Sequence, residues 1–187
     1  MRLEEKGGKS YAYTIANIAH KLNFVGKAVS VNKNKAVFCG IYFDFARQQM
    51  VGSDGNRLHS TSLVDSGEKI SLENDSNGVI VPAKLLRVAR FMTGQERIVE
   101  GDDAVSGSYK RTLFNLNIPG CQDCIVGYRT IEGNYPKYAD VIPKGFTSKF
   151  IVKTKELLSI LSKSQVAVAS RDIHTRAKSN ISISIYR

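Results

Sequence analysis

Cys121 and Cys124 form the pair in this chain whose types and spacing most readily suggest chemistry. A Cys-x-x-Cys step can supply half of a zinc site or act as a redox dithiol. A structural zinc site takes four ligands. The other candidates, Cys39, His20, His59 and His174, fall at no matching spacing. A redox dithiol belongs at a strand-to-helix step, whereas Cys124 opens a strand-like run, Cys124–Tyr128. The expectation is therefore free thiols in a reducing cytosol, with no metal and no cofactor. Asp54 and the pair Asp102-Asp103 are scattered acids without an evident partner and are assigned to turns. The sequence carries no Walker loop, nucleophile elbow or zinc-protease helix. It is read as a non-enzyme.

What remains is the chemistry of recognition. The chain carries 27 Lys and Arg against 17 Asp and Glu, a net charge of +10. That excess favours an acidic partner, with nucleic acid the default candidate; the bland alternative is a solvated basic surface. The cations fall into three groups: Lys21, Lys27, Lys33 and Lys35; Lys84, Arg87 and Arg90; and Lys153, Lys155, Lys163 and Arg171. A second feature is the stretch Met50–Leu58. There, Asp54 can bond its own backbone and Gly55 can take positive φ at no steric cost, so an exposed corner is predicted. Arg57 should project from it and Leu58 should resume the apolar face.

The elements that must position these groups recur. Tyr11–Tyr13 is a short strand after a loose tail at 1–9. Thr14 is placed as the helix N-cap. Ile15, Ile18, Ala19, Leu22, Val25 and Val29 recur at three and four, which predicts a helix to about Ser30, with Lys21 and Lys27 off its apolar face. Strands are expected at Ala36–Asp44, Gln49–Ser53 and Glu68–Leu72. The order then restarts. Val79–Val81 is a strand, and Pro82 opens a helical turn where its missing N–H costs nothing. Leu85, Leu86, Val88, Ala89 and Met92 form that helix's buried face, and Gly94 ends it. Strands follow at Glu96–Val105, Tyr109–Ile118 and Cys124–Ile131. A third start comes at Ser148, with a strand at Lys149–Val152, a helix from 154 or 155 to about Ser170, and a strand at Ser179–Tyr186. The fold class is therefore α+β: repeated strand-helix-strand-strand-strand units with helices on one face of antiparallel sheets. The expected domains are 10–145, in half-repeats of about 10–72 and 78–145, and a partial third repeat at 146–187. No run approaches the ~18 apolar residues of a membrane span. The charged N-terminus has no apolar core behind it, so a cytoplasmic protein without a signal peptide is expected.

Three stretches, in this order and spacing, resemble the bacterial sliding clamp family, the beta subunit of DNA polymerase III. They are Ser53-Asp54-Gly55-Asn56-Arg57-Leu58; Val79-Ile80-Val81-Pro82 opening a helix; and Gly133-Asn134-Tyr135-Pro136-Lys137-Tyr138 closing on Val141-Ile142-Pro143. The likeness covers roughly 10–145 as a central clamp domain, and 150–187 looks like the start of the following domain. It implies a DNA-clamp fold with helices inside a ring, and a processivity factor of DNA replication. The basic groups above would then face duplex DNA without reading its bases. Rings of that family are acidic overall with a basic lining. The net charge of +10 departs from that balance.

The family also uses the corner to wall a groove for short peptides of polymerases and the clamp loader. Carried over by position, Ser53, Gly55, Asn56, Arg57 and Leu58 would line it, with Phe38, Pro136 and Val141 from neighbouring segments. Asn56 replaces a His of the family pattern, and Asp140 stands where Arg is common. The far wall would come from strands beyond Arg187, so one chain alone is expected to bind peptide weakly. Self-association through the free edge of 179–186, giving a homo-oligomer, could rebuild it. The alternative reading is a general basic nucleic-acid-binding module without ring formation.

Overall fold

The computed structural model describes residues 9–65, 78–103, 107–145, 147 and 151–175. The chain divides into two compact units, at Val141/Ile142. Among the described residues, the first holds two four-stranded antiparallel sheets and one α-helix.

Strand β1, Lys9–Thr14, pairs with β6, Met92–Asp103, and starts within the stretch expected as a loose tail. Helix α1 spans Ile18–Gly26, shorter at both ends than the periodicity predicts. Its start is delayed because the Ile15 N–H donates to the Gly94 carbonyl at 2.7 Å, which holds Ile15 at the end of the β1–β6 ladder. Asn17, not Thr14, is the N-cap, in a left-handed conformation at φ 55°. Its side chain bonds Asp65 rather than the helix. The end comes early where Gly26 abuts Leu86 and the chain turns so that the Ser30 N–H reaches the Phe38 carbonyl.

The second sheet runs β4-β3-β2-β5, with β2 Gly40–Asp44, β3 Gln49–Ser53, β4 Leu58–Ser62 and β5 Val79–Pro82. Residues 36–39, expected in the strand, form a 3₁₀ turn before β2. The fourth element of this half is β4, immediately after the corner. The strand expected at 68–72 lies outside the described residues. Ile18, Leu22 and Val25 of α1 enter a core with Ile41, Phe43 and Met50. Burying each such side chain contributes about 1.5–3 kcal/mol.

The helix rests on β3 so closely that a Cβ at Gly52 would fall on the Val25 carbonyl oxygen. Backbone on both sides leaves no flexible atom to give way. Gly52→Ala should cost about 1–3 kcal/mol by overpacking. Urea unfolding should show the midpoint fall with little change in slope.

Residues 83–93, expected as a helix, form two 3₁₀ turns, Ala83–Arg87 and Ala89–Phe91, and β6 begins at Met92. The tighter i→i+3 turns fill the stretch between Pro82 of β5 and Met92 of β6. β6, β7 (Gly107–Ile118) and β8 (Cys121–Arg129) complete the first sheet in the order β1-β6-β7-β8. Phe114 of β7 is fully buried.

Cys121 and Cys124 are joined as a disulfide, so the expected free thiols are corrected. Three extended residues would span about 10 Å. The ladder slips between Leu116 and Ile118, and Asp123 turns to φ 53°, bringing the two Cα atoms to 6.2 Å. Cys39 is a free thiol whose Sγ donates to the Asn32 carbonyl.

In the second unit, α2 spans Thr154–Thr175, longer than expected. Residues 151–153 are irregular rather than strand. The strand expected at 179–186 lies outside the described residues. Among the described residues, no helix is long and apolar enough to cross a membrane.

Candidate functional site: the 53–58 corner and the basic helical layer

The corner is a hairpin between β3 and β4 in which Ser53 pairs with Leu58. Asp54 organises it. Its Oδ1 accepts the backbone N–H groups of Asn56 and Arg57 at 2.9 and 3.0 Å, and its Oδ2 accepts Arg57 Nε at 2.9 Å. Those backbone donors, then the Arg57 side chain, hold the Asp54 carboxyl below the usual range. The Ser53 hydroxyl donates to the Arg57 carbonyl at 2.8 Å and accepts the Gly55 N–H. Gly55 sits at φ 93°, which the residue type allows. Arg57, expected to project from the corner, has a side chain 62% exposed, and its Nε is bonded to Asp54.

The segment after β8 returns to this corner. The Ile131 N–H donates to the Ile80 carbonyl on the free edge of β5. Tyr135 then stacks on Tyr42 of β2, with ring centroids 4.7 Å apart, and meets Phe38 edge-on at 6.0 Å. Burial pushes the Tyr135 hydroxyl up to about 12, opposed by a backbone group of Ser53 beside it. Tyr138 donates to Asp44 at 2.9 Å. Burial, then the Asp44 carboxylate, holds that phenol neutral well above the usual tyrosine range.

Tyr135 is thus the residue that draws Phe38, Ser53 and the Pro136 segment together. Sequence reasoning counted Tyr135 and Tyr138 in the clamp-like stretch but gave neither a role, and it passed over Tyr42 and Asp44. Of the expected apolar floor, Phe38 and Leu58 are half-buried, while Pro136 and Val141 are exposed. Val141 ends a 3₁₀ turn, Tyr138–Val141.

An open cleft of about 270 Å³ lies against the corner, lined by Val29–Asn32, Lys35, Asp54, Asn56 and Arg57. It is the polar flank of the corner, and none of Phe38, Leu58, Pro136 or Val141 lines it.

The basic residues separate. Lys21, expected to face solvent, is buried at 6% exposure and leaves the DNA-facing set. Its ammonium donates to the Leu63 carbonyl at 3.1 Å and pairs with Asp65 at 2.6 Å. Position 21 lies three after Ile18 and four before Val25, which turns it inward. Lys27 is exposed at the C-cap of α1. Lys84, Arg87 and Arg90 are exposed on the two 3₁₀ turns, which pack against α1 as one helical layer. Arg90 lies over the Phe91 ring at 4.6 Å. Lys33 is exposed in the loop after α1, and Lys35 belongs to the corner cleft. In the second unit, Lys155 and Lys163 are exposed on α2, and Lys153 pairs with Glu156. Among the described residues, no group of three or more His, Cys, Asp or Glu could hold a metal ion.

Solved structures share this architecture. The beta subunit from DNA polymerase of Streptococcus pyogenes matches 91% of this chain and 43% of its own, at TM-score 0.60 and 16% identity. The DNA polymerase sliding clamp of Bacillus subtilis matches 89% of this chain and 41% of its own, at TM-score 0.59 and 17% identity. The fold is that of the bacterial sliding clamp. Sequence similarity accompanies it. The beta sliding clamp of Treponema pallidum is 26% identical over 174 residues, 90% of this chain and 42% of that protein. That of Synechococcus elongatus is 25% identical over 141 residues, 73% and 34% of the two chains. No protein-family model matches. The chain spans less than half the length of the curated sliding clamps it matches.

Proposed function

We propose that this chain is a sliding-clamp-like processivity factor of DNA replication, or part of one, acting in the cytoplasm without catalysis. Its helical layer holds duplex DNA through phosphates, and its 53–58 corner receives peptides of a polymerase or clamp loader. The observation that carries the peptide half is the meeting at Tyr135. Two segments some eighty residues apart, matched to the clamp pattern separately in the sequence, converge on one place. Half-buried Phe38 and Leu58 and exposed Pro136 offer apolar surface there, and the exposed Asn56 and Arg57 side chains supply polar groups. That mixture suits a peptide groove. The exposed cations on the helical layer support the DNA half.

The test is a titration of a labelled peptide bearing two aliphatic anchors against wild type and Leu58→Lys. Losing one buried aliphatic anchor, about 1.5–3 kcal/mol, should weaken binding about ten- to a hundredfold. Equal affinity for the two proteins would remove the corner from the site.

A further inference from the structure

We propose that Cys121–Cys124 is a thiol–disulfide exchange site: a dithiol reductant opens the bond through Cys121, and the state of the bond sets how firmly the strand end beside the Arg90 turn is held. The inference is independent of the clamp reading.

The bond sits at the tip of the β7–β8 hairpin, where Pro119 and Gly120 form the turn and Gly120 takes φ 79°. Ile118 pairs with Cys121 and Leu116 with Cys124, so β7 advances two residues while β8 advances three. The extra residue makes a β-bulge, and the disulfide spans it. Opening the bond therefore breaks no rung of the ladder. Nor does the bond staple distant segments. A cross-link stabilises more the longer the loop it closes, and this loop holds only Gln122 and Asp123. In a reducing compartment such a bond is of the transient, redox-sensing kind.

Access is one-sided. Cys121 is exposed, whereas Cys124 is half-buried and shares a strand face with Val126, which packs against the core. A Cβ added at Gly120 would meet nothing within 4 Å, so the turn beside Cys121 is open. A thiolate of the dithiol attacks Cys121 Sγ. The S–S bond breaks, and Cys124 leaves as a thiolate that takes up a proton. The second thiolate of the reductant attacks its own sulfur in the mixed disulfide and releases Cys121, which is protonated in turn. The pair gains two electrons and two protons, and the dithiol becomes a disulfide. Exchange with a small disulfide runs the same steps in reverse.

The effect passes along one line of the sheet. Cys124 pairs with Leu116, and Leu116 with Met92, the first residue of β6. Met92 follows directly on the 3₁₀ turn that carries Arg90 and packs against the core. A second slip in register separates Met92 from Glu96, where the regular β6–β7 ladder begins. Bulges thus flank the Met92–Leu116–Cys124 line in both ladders. Its further ties are the Thr93 hydroxyl, which donates to the Asn115 carbonyl at 3.3 Å, and the disulfide at its outer end.

The experiment uses the full chain, with dithiothreitol as the dithiol and glutathione disulfide as the disulfide. Acid quenching, unfolding and alkylation should count one thiol, Cys39, in the oxidised protein and three in the reduced one. The native protein should be reduced within about tenfold of the rate of the urea-unfolded chain, as an exposed bond is. The remaining Cys121 of Cys124→Ser should react with an aromatic disulfide about tenfold faster than the remaining Cys124 of Cys121→Ser. Reduction should raise amide hydrogen exchange in residues 89–93 and 114–126 and leave α1 and β3 unchanged. The double serine variant should match the reduced protein and ignore the dithiol. Three thiols after glutathione disulfide treatment, slower native reduction, or equal exchange in the two states overturns the inference. Equal reactivity of the two single variants overturns Cys121 as the point of attack. A rise in exchange across the whole first unit also overturns it, because the bond would then be a staple of the fold.

Discussion

Asp44→Ala is expected to cost the first unit about 3–5 kcal/mol and to loosen the segment that carries Pro136 and Val141. Asp44 is 1% exposed at the end of β2. It accepts the Tyr138 hydroxyl at 2.9 Å, the Arg47 backbone N–H at 2.9 Å and the Arg47 guanidinium at 3.3 Å. Hydrogen bonds to a charged group contribute roughly 1.5–3 kcal/mol each, and a buried donor left alone bears its full desolvation cost. The Arg47 side chain is 62% exposed, so water replaces its partner and that contact counts for little. The loss therefore sits in two groups, the Tyr138 phenol and the Arg47 N–H. Tyr138→Phe removes one bond and leaves Asp44 bonded to Arg47, so it should cost about 1–2 kcal/mol. Asp44→Asn keeps an acceptor for Tyr138 and should fall between the two. Urea unfolding ranks the three variants. Near-ultraviolet circular dichroism reports the Tyr42–Tyr135 stack in a chain that has no Trp. An Asp44→Ala protein as stable as wild type would show that Tyr138 is held by packing alone.

That anchor marks where the sequence stops being legible. The order of elements could be read because it is local. Alternating residues in Leu113–Ile118 signal a strand, and Ile18, Leu22 and Val25 signal a helix face. The corner could be read because Asp-Gly chemistry is local too, down to the Asp54 oxygen that accepts the Asn56 N–H. Long-range partners could not. Nothing within several residues of Lys21 says that Asp65 and the Leu63 carbonyl wait for its ammonium, although its spacing from Ile18 and Val25 does place it inward. Nothing near Tyr138 names Asp44, ninety-four residues away. Short segments were misjudged for a different reason. Ala36–Cys39 and Ala83–Phe91 carry apolar residues at spacings that fit strand or helix, and over so few residues that pattern does not separate either from the 3₁₀ turns both segments form. The Cys121–Cys124 bond depends on a slip in the β7–β8 ladder, which no spacing of cysteines reveals.

Reversing Lys84, Arg87 and Arg90 to Glu together should produce the largest functional change, a loss of duplex-DNA affinity that is greatest at low salt. The three side chains are exposed on consecutive turns of the helical layer that packs on α1. Their charges are not spent on carboxylates: among the described residues no salt bridge involves any of the three, and Arg90 instead lies over the Phe91 ring. Each phosphate neutralised by such a cation releases a counterion and adds about 0.9 to the slope of log affinity against log salt. Losing three contacts should lower that slope by about 2.7. Between about 50 and 200 mM salt, wild type should then lose about fortyfold more affinity than the variant, which starts weaker. A shift in overall charge could mimic part of this. Reversal of Arg129, Lys137 and Lys144, exposed residues outside the helical layer, makes the same charge change and is the control. If DNA is held at the helical layer, the control should keep most of the wild-type slope, and binding should be indifferent to base sequence. Equal slopes for the two triple variants would mean that net charge alone drives binding, which is the behaviour of a general basic module rather than of a clamp face.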